Sequence, residues 1–181
     1  MPEISIALDW MPVPTAGQPY LYPGKKRLLR GANLRRPAVY RWAIRREKKR
    51  DAYLVGETDE LDRRLGEYLS SRGKYHSDIR RRFDEYIGSG GRIGLETLRF
   101  GEFAINGVAF SENELKDPLV RRLLEALCCN IVRRQGFELL NDTLEKRLAR
   151  RLDGLPLETL VDILKKKGFT KAKLGELIRS R

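Results

Sequence analysis

Apolar positions Val39, Trp42 and Ile44 are followed by Arg45 to Asp51, a stretch too charged to stay buried, and then by Tyr53-Leu54-Val55. That pattern predicts a β-hairpin. Gly56 lets the chain turn, Thr58 or Asp59 offers a helix cap, and Leu61, Leu65 and Leu69 recur at i, i+4 and i+8 with Arg64 at their flank, the spacing of one helix face. A short helix is expected over 77–87, ended by Gly88-Ser89-Gly90-Gly91. Residues 95–105 read as a third strand. Asn106-Gly107, between Phe103-Ala104-Ile105 and Val108-Ala109-Phe110, reads as a hairpin turn. Ser111 with Glu114 forms a capping box for a brief helix. Asp117-Pro118 then opens a longer one, with Leu119, Leu123, Leu127 and Ile131 as its stripe, joined by Leu124, Cys128 and Val132, up to Gly136. Past Asn141 the pattern predicts amphipathic helices over 143–152, 156–167 and 171–180.

These elements predict an α+β (α/β) fold organised as an N-terminal arm (1–36), a small mixed domain (37–141) and a C-terminal helical extension (142–181). The arm runs from an alternating stretch, Ile4 to Leu8, through a loop punctuated by Pro12, Pro14, Gly17 and Pro23, into the basic run Lys25 to Arg36. It either wraps the core or touches DNA. The last two helices pack on the core, bind DNA or meet a second copy of the chain.

Charge narrows the partners. Lys plus Arg number 37 against 25 Asp plus Glu, a net +12 over 181 residues, which points to a polyanion, nucleic acid above all. A membrane surface is the competing reading. No run approaches the length of a spanning helix, and MPEISIALDW lacks a basic-then-apolar signal pattern, so an intracellular, cytoplasmic protein without a membrane partner is expected. Cys128 and Cys129 are adjacent on a predicted helix and suit neither a framework disulfide nor a zinc site. Candidate phosphate contacts are Lys25, Lys26, Arg35 and Arg36 in the arm, and Lys74, His76, Arg80 and Arg81 in a basic stretch interleaved with Tyr75, Phe83 and Tyr86.

The segment from residue 37 to residue 141 resembles the GIY-YIG nuclease family. The family's first motif appears as Ala38-Val39-Tyr40 and its second as Leu54-Val55-Gly56. The helix pattern that follows is matched by Gly56, Leu61, Arg64, Leu65 and Tyr68. Ala38 stands where the first glycine is usual, and Leu54 where the second tyrosine is usual, with Tyr53 one place early. Neighbouring strand residues face opposite ways, so Tyr53 reaches the site only if a bulge re-aims it. The resemblance also asks for a glutamate on an apolar helix and an asparagine after a short hydrophobic run. Glu125 is the one acid between Leu119 and Val132, and Asn141 closes Phe137-Glu138-Leu139-Leu140.

The resemblance implies a central three-stranded, mainly antiparallel sheet between helices, and hydrolysis of DNA phosphodiesters. It gives roles to four residues: Tyr40 helps deprotonate water, Arg64 holds the scissile phosphate, Glu125 ligates Mg²⁺ (or Mn²⁺), and Asn141 positions its neighbours; Tyr53 is a further catalytic candidate. A single carboxylate suits a cation that dehydrates reluctantly, and a forked guanidinium suits phosphate. The residues alone leave alternatives. Tyr40 also reads as an ordinary strand tyrosine, Arg63 as the phosphate ligand, Asn141 as the cap of a helix near Asp142, and His76 as a solvent-facing loop residue. The expected function is a metal-dependent DNA endonuclease, restriction-type (which carries a homodimer with it), repair-type and structure-specific, or of the mobile-element kind. The alternatives are a catalytically weak nucleic-acid-binding module on the same fold, and a basic RNA-binding protein in which Tyr40, Arg64 and Glu125 lie far apart.

Overall fold

A computed structural model describes residues 4–6, 9–15, 18–24, 34–47, 49–70, 74–99, 103–105, 108–109 and 112–143. In chain order these form strands β1 (Ile4–Ile6), β2 (Asp9–Pro12), β3 (Pro14–Thr15), β4 (Gln18–Pro19), β5 (Ala38–Arg45) and β6 (Ala52–Thr58), then helices α1 (Leu61–Leu69) and α2 (Lys74–Gly88). Strands β7 (Arg92–Arg99), β8 (Phe103–Ile105) and β9 (Val108–Ala109) follow, then helix α3 (Pro118–Arg134), strand β10 (Glu138–Leu139) and helix α4 (Leu140–Thr143).

The hairpin read from the sequence is β5–β6, in continuous antiparallel register from Ala38 opposite Thr58 to Ile44 opposite Ala52. β7 pairs with the other edge of β5. These three strands are the expected antiparallel core, but the sheet has five strands, in the order β10-β6-β5-β7-β2, with β10 parallel to β6. The third strand stops at Arg99 rather than running on to 105. Residues 103–105 instead pair with β1 and β9 in a separate small sheet. Ile105 opposite Val108 is the pairing that an Asn106-Gly107 hairpin requires; the two turn residues, like Ser111, lie outside the described residues.

The extra strand β2 comes from the segment read as an arm. Beyond it, the Val13 N–H donates to the Leu95 carbonyl, the Tyr22 N–H donates to that of Ile93, and Tyr20 accepts from Leu95. Val13, Tyr20 and Tyr22 are buried, so the packed unit reaches back past residue 37. Pro12 is tolerated because an edge strand needs no donor on its outer side.

Alternation divides the sheet into two faces. Tyr40, Trp42, Ile44, Ala52 and Leu54 project toward α1 and α2 and share a core with Leu61, Leu65, Tyr68, Ile79 and Phe83. Trp42 is fully buried, with the rings of Phe83 and Tyr68 edge-on at 5.4 and 5.6 Å. Removing such a ring costs about 3–5 kcal/mol. α3 covers the opposite face. Its Arg121 binds Glu57, and its Cys128 lies close enough to Arg41 to feel its charge; Glu57 and Arg41 alternate with Gly56 and Tyr40 along their strands.

Helix ends follow the local chemistry with two corrections. The N-cap of α1 is Glu60, without a side-chain cap; Thr58 Oγ1 and Asp59 Oδ1 accept the Glu60 N–H instead, while Leu61 and Asp62 donate to the carbonyls of Arg36 and Leu34. α2 starts at Lys74, ahead of the expected 77. α3 starts at Pro118 as expected. Gly136, at φ 72°, ends it, letting Phe137 N–H reach back to the Val132 carbonyl. The helices expected over 143–152, 156–167 and 171–180 lie outside the described residues apart from Thr143. Among the described residues no helix is long and apolar enough to cross a membrane.

Candidate active site

Tyr40 and Tyr68 meet through their hydroxyls at 3.0 Å, both residues buried. β5 supplies the first and the last turn of α1 the second, and the approach depends on Gly56, which faces Tyr40 across the hairpin. Arg64, one turn before Tyr68 on α1, sits beside the pair. Burial opposes its cation, but the nearby Tyr40 and Tyr68 phenols and the Glu67 and Glu57 carboxylates outweigh that, so its pKa rises. Arg64 Nη1 donates to Glu67 Oε2 at 2.8 Å, whereas its Nε is buried and has no acceptor among the described residues. An unmatched buried donor on a charged group is costly in a protein left to itself.

Burial, followed by the charge and hydrogen bond of Tyr40, pushes the Tyr68 phenol well above its ordinary value. Arg64 pulls it down and Glu125 pushes it up, so Tyr68 lies within electrostatic reach of both α1 and α3. Glu125 is 8% exposed, part of a buried face of α3 that includes Arg121, Leu124, Cys128 and Val132; Ile131 is half-buried. One turn before Glu125, the 5%-exposed Arg121 donates to Glu57 Oε2 at 2.8 Å and to the carbonyls of Leu115 and Lys116. That anchors the start of α3 to β6. Tyr40 and Arg64 therefore gather around Tyr68, whose phenol also feels the charge of Glu125 on α3.

Two candidates take other positions. Tyr53 pairs with Ala43 in an unbroken register, so it projects from the face opposite Tyr40, and no bulge re-aims it. Its hydroxyl accepts from Arg45 at 2.8 Å, its ring meets Phe137, and the Arg41 guanidinium lies 4.8 Å from its centre. Tyr53 is a packing residue of the far face, which corrects its reading as a catalytic tyrosine. Asn141 neither faces solvent nor caps a following helix. It lies inside α4, accepts the Val55 N–H and donates to the Val55 carbonyl, both at 2.9 Å. Since β10 pairs in parallel with Ala52 and Tyr53, the Asn141 amide continues that ladder by side chain, which positions β6.

The basic candidates scatter. Arg35 is exposed, and Arg36 is half-buried at the start of α1. Arg81 pairs with Glu85 and Arg80 hydrogen-bonds the Tyr22 phenol, both on α2. Lys25, Lys26 and the Lys74 side chain lie outside the described residues. His76 is not in a loop. It packs edge-on to Tyr68 at 5.3 Å between ring centres, with Nε2 3.7 Å from Glu67 Oε2. Arg63, the alternative phosphate ligand, is exposed and paired with Asp59 and Glu67.

Three residues that sequence reasoning passed over shape this neighbourhood: Glu67, Glu57 and Arg121. Spacing offered a signal for two of them, Glu67 at i+3 from Arg64 and Arg121 at i−4 from Glu125. Nothing local marked Glu57. Among the described residues no cluster of three or more His, Cys, Asp or Glu side chains is built to hold a metal. Glu125 is a buried carboxylate whose charge reaches the Tyr68 phenol, and one carboxylate is enough for a Mg²⁺-type ion that keeps most of its waters.

Comparison of the chain with protein-family models, with curated proteins and with solved structures finds no match in any of the three.

Proposed function

We propose that the chain is a metal-dependent endonuclease that hydrolyses DNA phosphodiesters in the manner of the GIY-YIG nucleases. The observation that carries this reading is the half-buried guanidinium of Arg64, with its buried Nε donor unmatched, set beside the hydrogen-bonded phenols of Tyr40 and Tyr68. A tetrahedral phosphate supplies the acceptors that this donor lacks. Two phenols beside it supply proton-transfer groups where an attacking water needs them.

In this reading Arg64 holds the scissile phosphate and offsets the charge that builds on its oxygens. Tyr40 acts as its phenolate, having released its own proton to solvent, and takes the proton of the attacking water to become the neutral phenol. Tyr68, kept neutral by burial, donates to the Tyr40 oxygen and steadies it. Glu125 would hold Mg²⁺ or Mn²⁺, which when bound supplies Lewis-acid relief for the leaving oxyanion. Arg121 and Asn141 do not touch substrate; they hold α3 and β6 where Glu125 and Gly56 need them. The net charge of +12 favours a nucleic-acid partner, and a homodimer belongs to the restriction-type form of the reading.

A second reading rests on two departures from the family motifs, of which Ala38 in place of the first glycine is one. Leu54 fills the place of the family's second tyrosine and is buried in the core, which favours a binding module with weak or no catalysis. Wild type and Glu125→Ala, incubated with Mg²⁺ and supercoiled plasmid, genomic DNA or a branched duplex, separate the two. Cutting by wild type that the variant loses while still binding DNA supports the nuclease. Binding without cutting by either supports the module.

A further inference from the structure

Glu67 gathers basic side chains from two helices. Its Oε1 accepts from Arg63 Nη1, and its Oε2 lies 2.8 Å from Arg64 Nη1 and 3.7 Å from His76 Nε2. The Arg63 contact belongs to an exposed side chain that also pairs with Asp59, and solvent screens it. The Arg64 contact differs in kind. Glu67 takes the Nη1 corner of the guanidinium and leaves the Nε–Nη2 edge, whose buried Nε makes no hydrogen bond with any described residue. That edge carries two parallel N–H groups and is the side-on fork that matches two phosphate oxygens.

The same guanidinium lies in the field of Tyr40 and Tyr68. Rotation about its terminal bonds would exchange the corner held by Glu67 with the edge left open. A buried donor without an acceptor gives such rotation a reason to occur, so something has to prevent it. Among the described residues, Glu67 is the one carboxylate shown in a hydrogen bond with Arg64.

We propose that Glu67 is a positioning residue for Arg64: by holding Nη1 it fixes the guanidinium plane and turns the Nε–Nη2 edge toward the incoming phosphate. This rests on the reading of Arg64 as the phosphate ligand. The opposite role for the same contact, a carboxylate that competes with phosphate for Arg64, predicts the opposite sign for its removal.

The test compares wild type with Glu67→Gln, a near-isosteric change at a side chain 30% exposed. Proton–nitrogen NMR follows the buried Arg64 Nε–H, identified by its disappearance in Arg64→Lys, alongside DNA affinity and single-turnover cleavage. The variant is expected to exchange that hydrogen about tenfold faster, and to cleave about tenfold more slowly as the electrostatic clamp loosens. Its DNA affinity should be equal or tighter, because removing a negative charge from so basic a chain favours binding. Unchanged exchange overturns the proposal, as does cleavage equal to or faster than that of wild type. If wild type cleaves no substrate, the nuclease reading falls, and the exchange comparison alone decides whether Glu67 orients Arg64.

Discussion

The Tyr40 ring lies directly over the backbone of Gly56: a Cβ at position 56 would sit 2.5 Å from the Tyr40 hydroxyl oxygen and 2.6 Å from Cζ. Neither atom can yield without breaking the contact with Tyr68 at 3.0 Å. Gly56→Ala is therefore expected to push the phenol out of place, costing about 1–3 kcal/mol as overpacking does and lowering cleavage in step. Urea unfolding and a cleavage assay on the same preparation check both; wild-type stability in the variant would mean that Tyr40 rests elsewhere.

Asn141 is a structural clip between α4 and β6. Replacing it by Leu leaves the buried N–H and carbonyl of Val55 without their partners, a loss of about 1–3 kcal/mol for each group left unsatisfied. The denaturation midpoint should fall sharply, and with it every activity. If Asn141 instead touches substrate alone, Asn141→Leu will unfold like wild type and fail only in cleavage.

Arg121→Ala removes a guanidinium that holds Glu57 and two carbonyls at the start of α3. The orphaned carboxylate and carbonyls make about 3 kcal/mol of destabilisation the expectation. Arg121→Lys should recover only part of it, because an ammonium is a single point and cannot reproduce the fork. Equal stability of the lysine variant and wild type would show that charge alone, not geometry, secures α3.

Much of this architecture was legible because it is local. Apolar spacing marked β5, β6, α1 and α3, and Asp117-Pro118 and Gly136 marked where α3 starts and stops. What escaped was set by contacts remote in sequence. β2 lies in a proline-punctuated segment whose strand character comes from β7, and β10 is only Glu138–Leu139. Tyr40, Arg64 and Glu125 could be named as candidates from the family resemblance, but the side of the sheet on which Tyr53 falls depended on the absence of a bulge, which no residue pattern announces. The ladder-completing role of Asn141 and the anchoring role of Arg121 escaped for a related reason: each is decided by a partner remote in sequence, Val55 for one and Glu57 for the other.

The alkaline limb of stability carries a sign. Burial pushes Tyr20 and Tyr86 up to about 12, and Tyr68 and the Cys128 thiol well above their ordinary values. In the unfolded chain tyrosine ionises near about 10 and cysteine near about 8.5. Above those values the unfolded state has released protons that the folded state retains, so stability is whole below them and falls as pH rises toward the folded values. Urea midpoints should decline progressively from about pH 9 to about pH 11, and Tyr68→Phe should flatten the slope. A midpoint that rises over this range would contradict these burial effects.

The most direct measurement is the single-turnover cleavage rate of Tyr40→Phe beside Tyr53→Phe, with Mg²⁺ present and DNA affinity measured for each. Both variants lose only a hydroxyl, from opposite faces of one hairpin. The account predicts that Tyr40→Phe slows cleavage by about a hundredfold or more, the scale of a lost proton-transfer group, with binding intact, while Tyr53→Phe cleaves like wild type. Wild-type cleavage by Tyr40→Phe, or an equal loss in Tyr53→Phe, would contradict it.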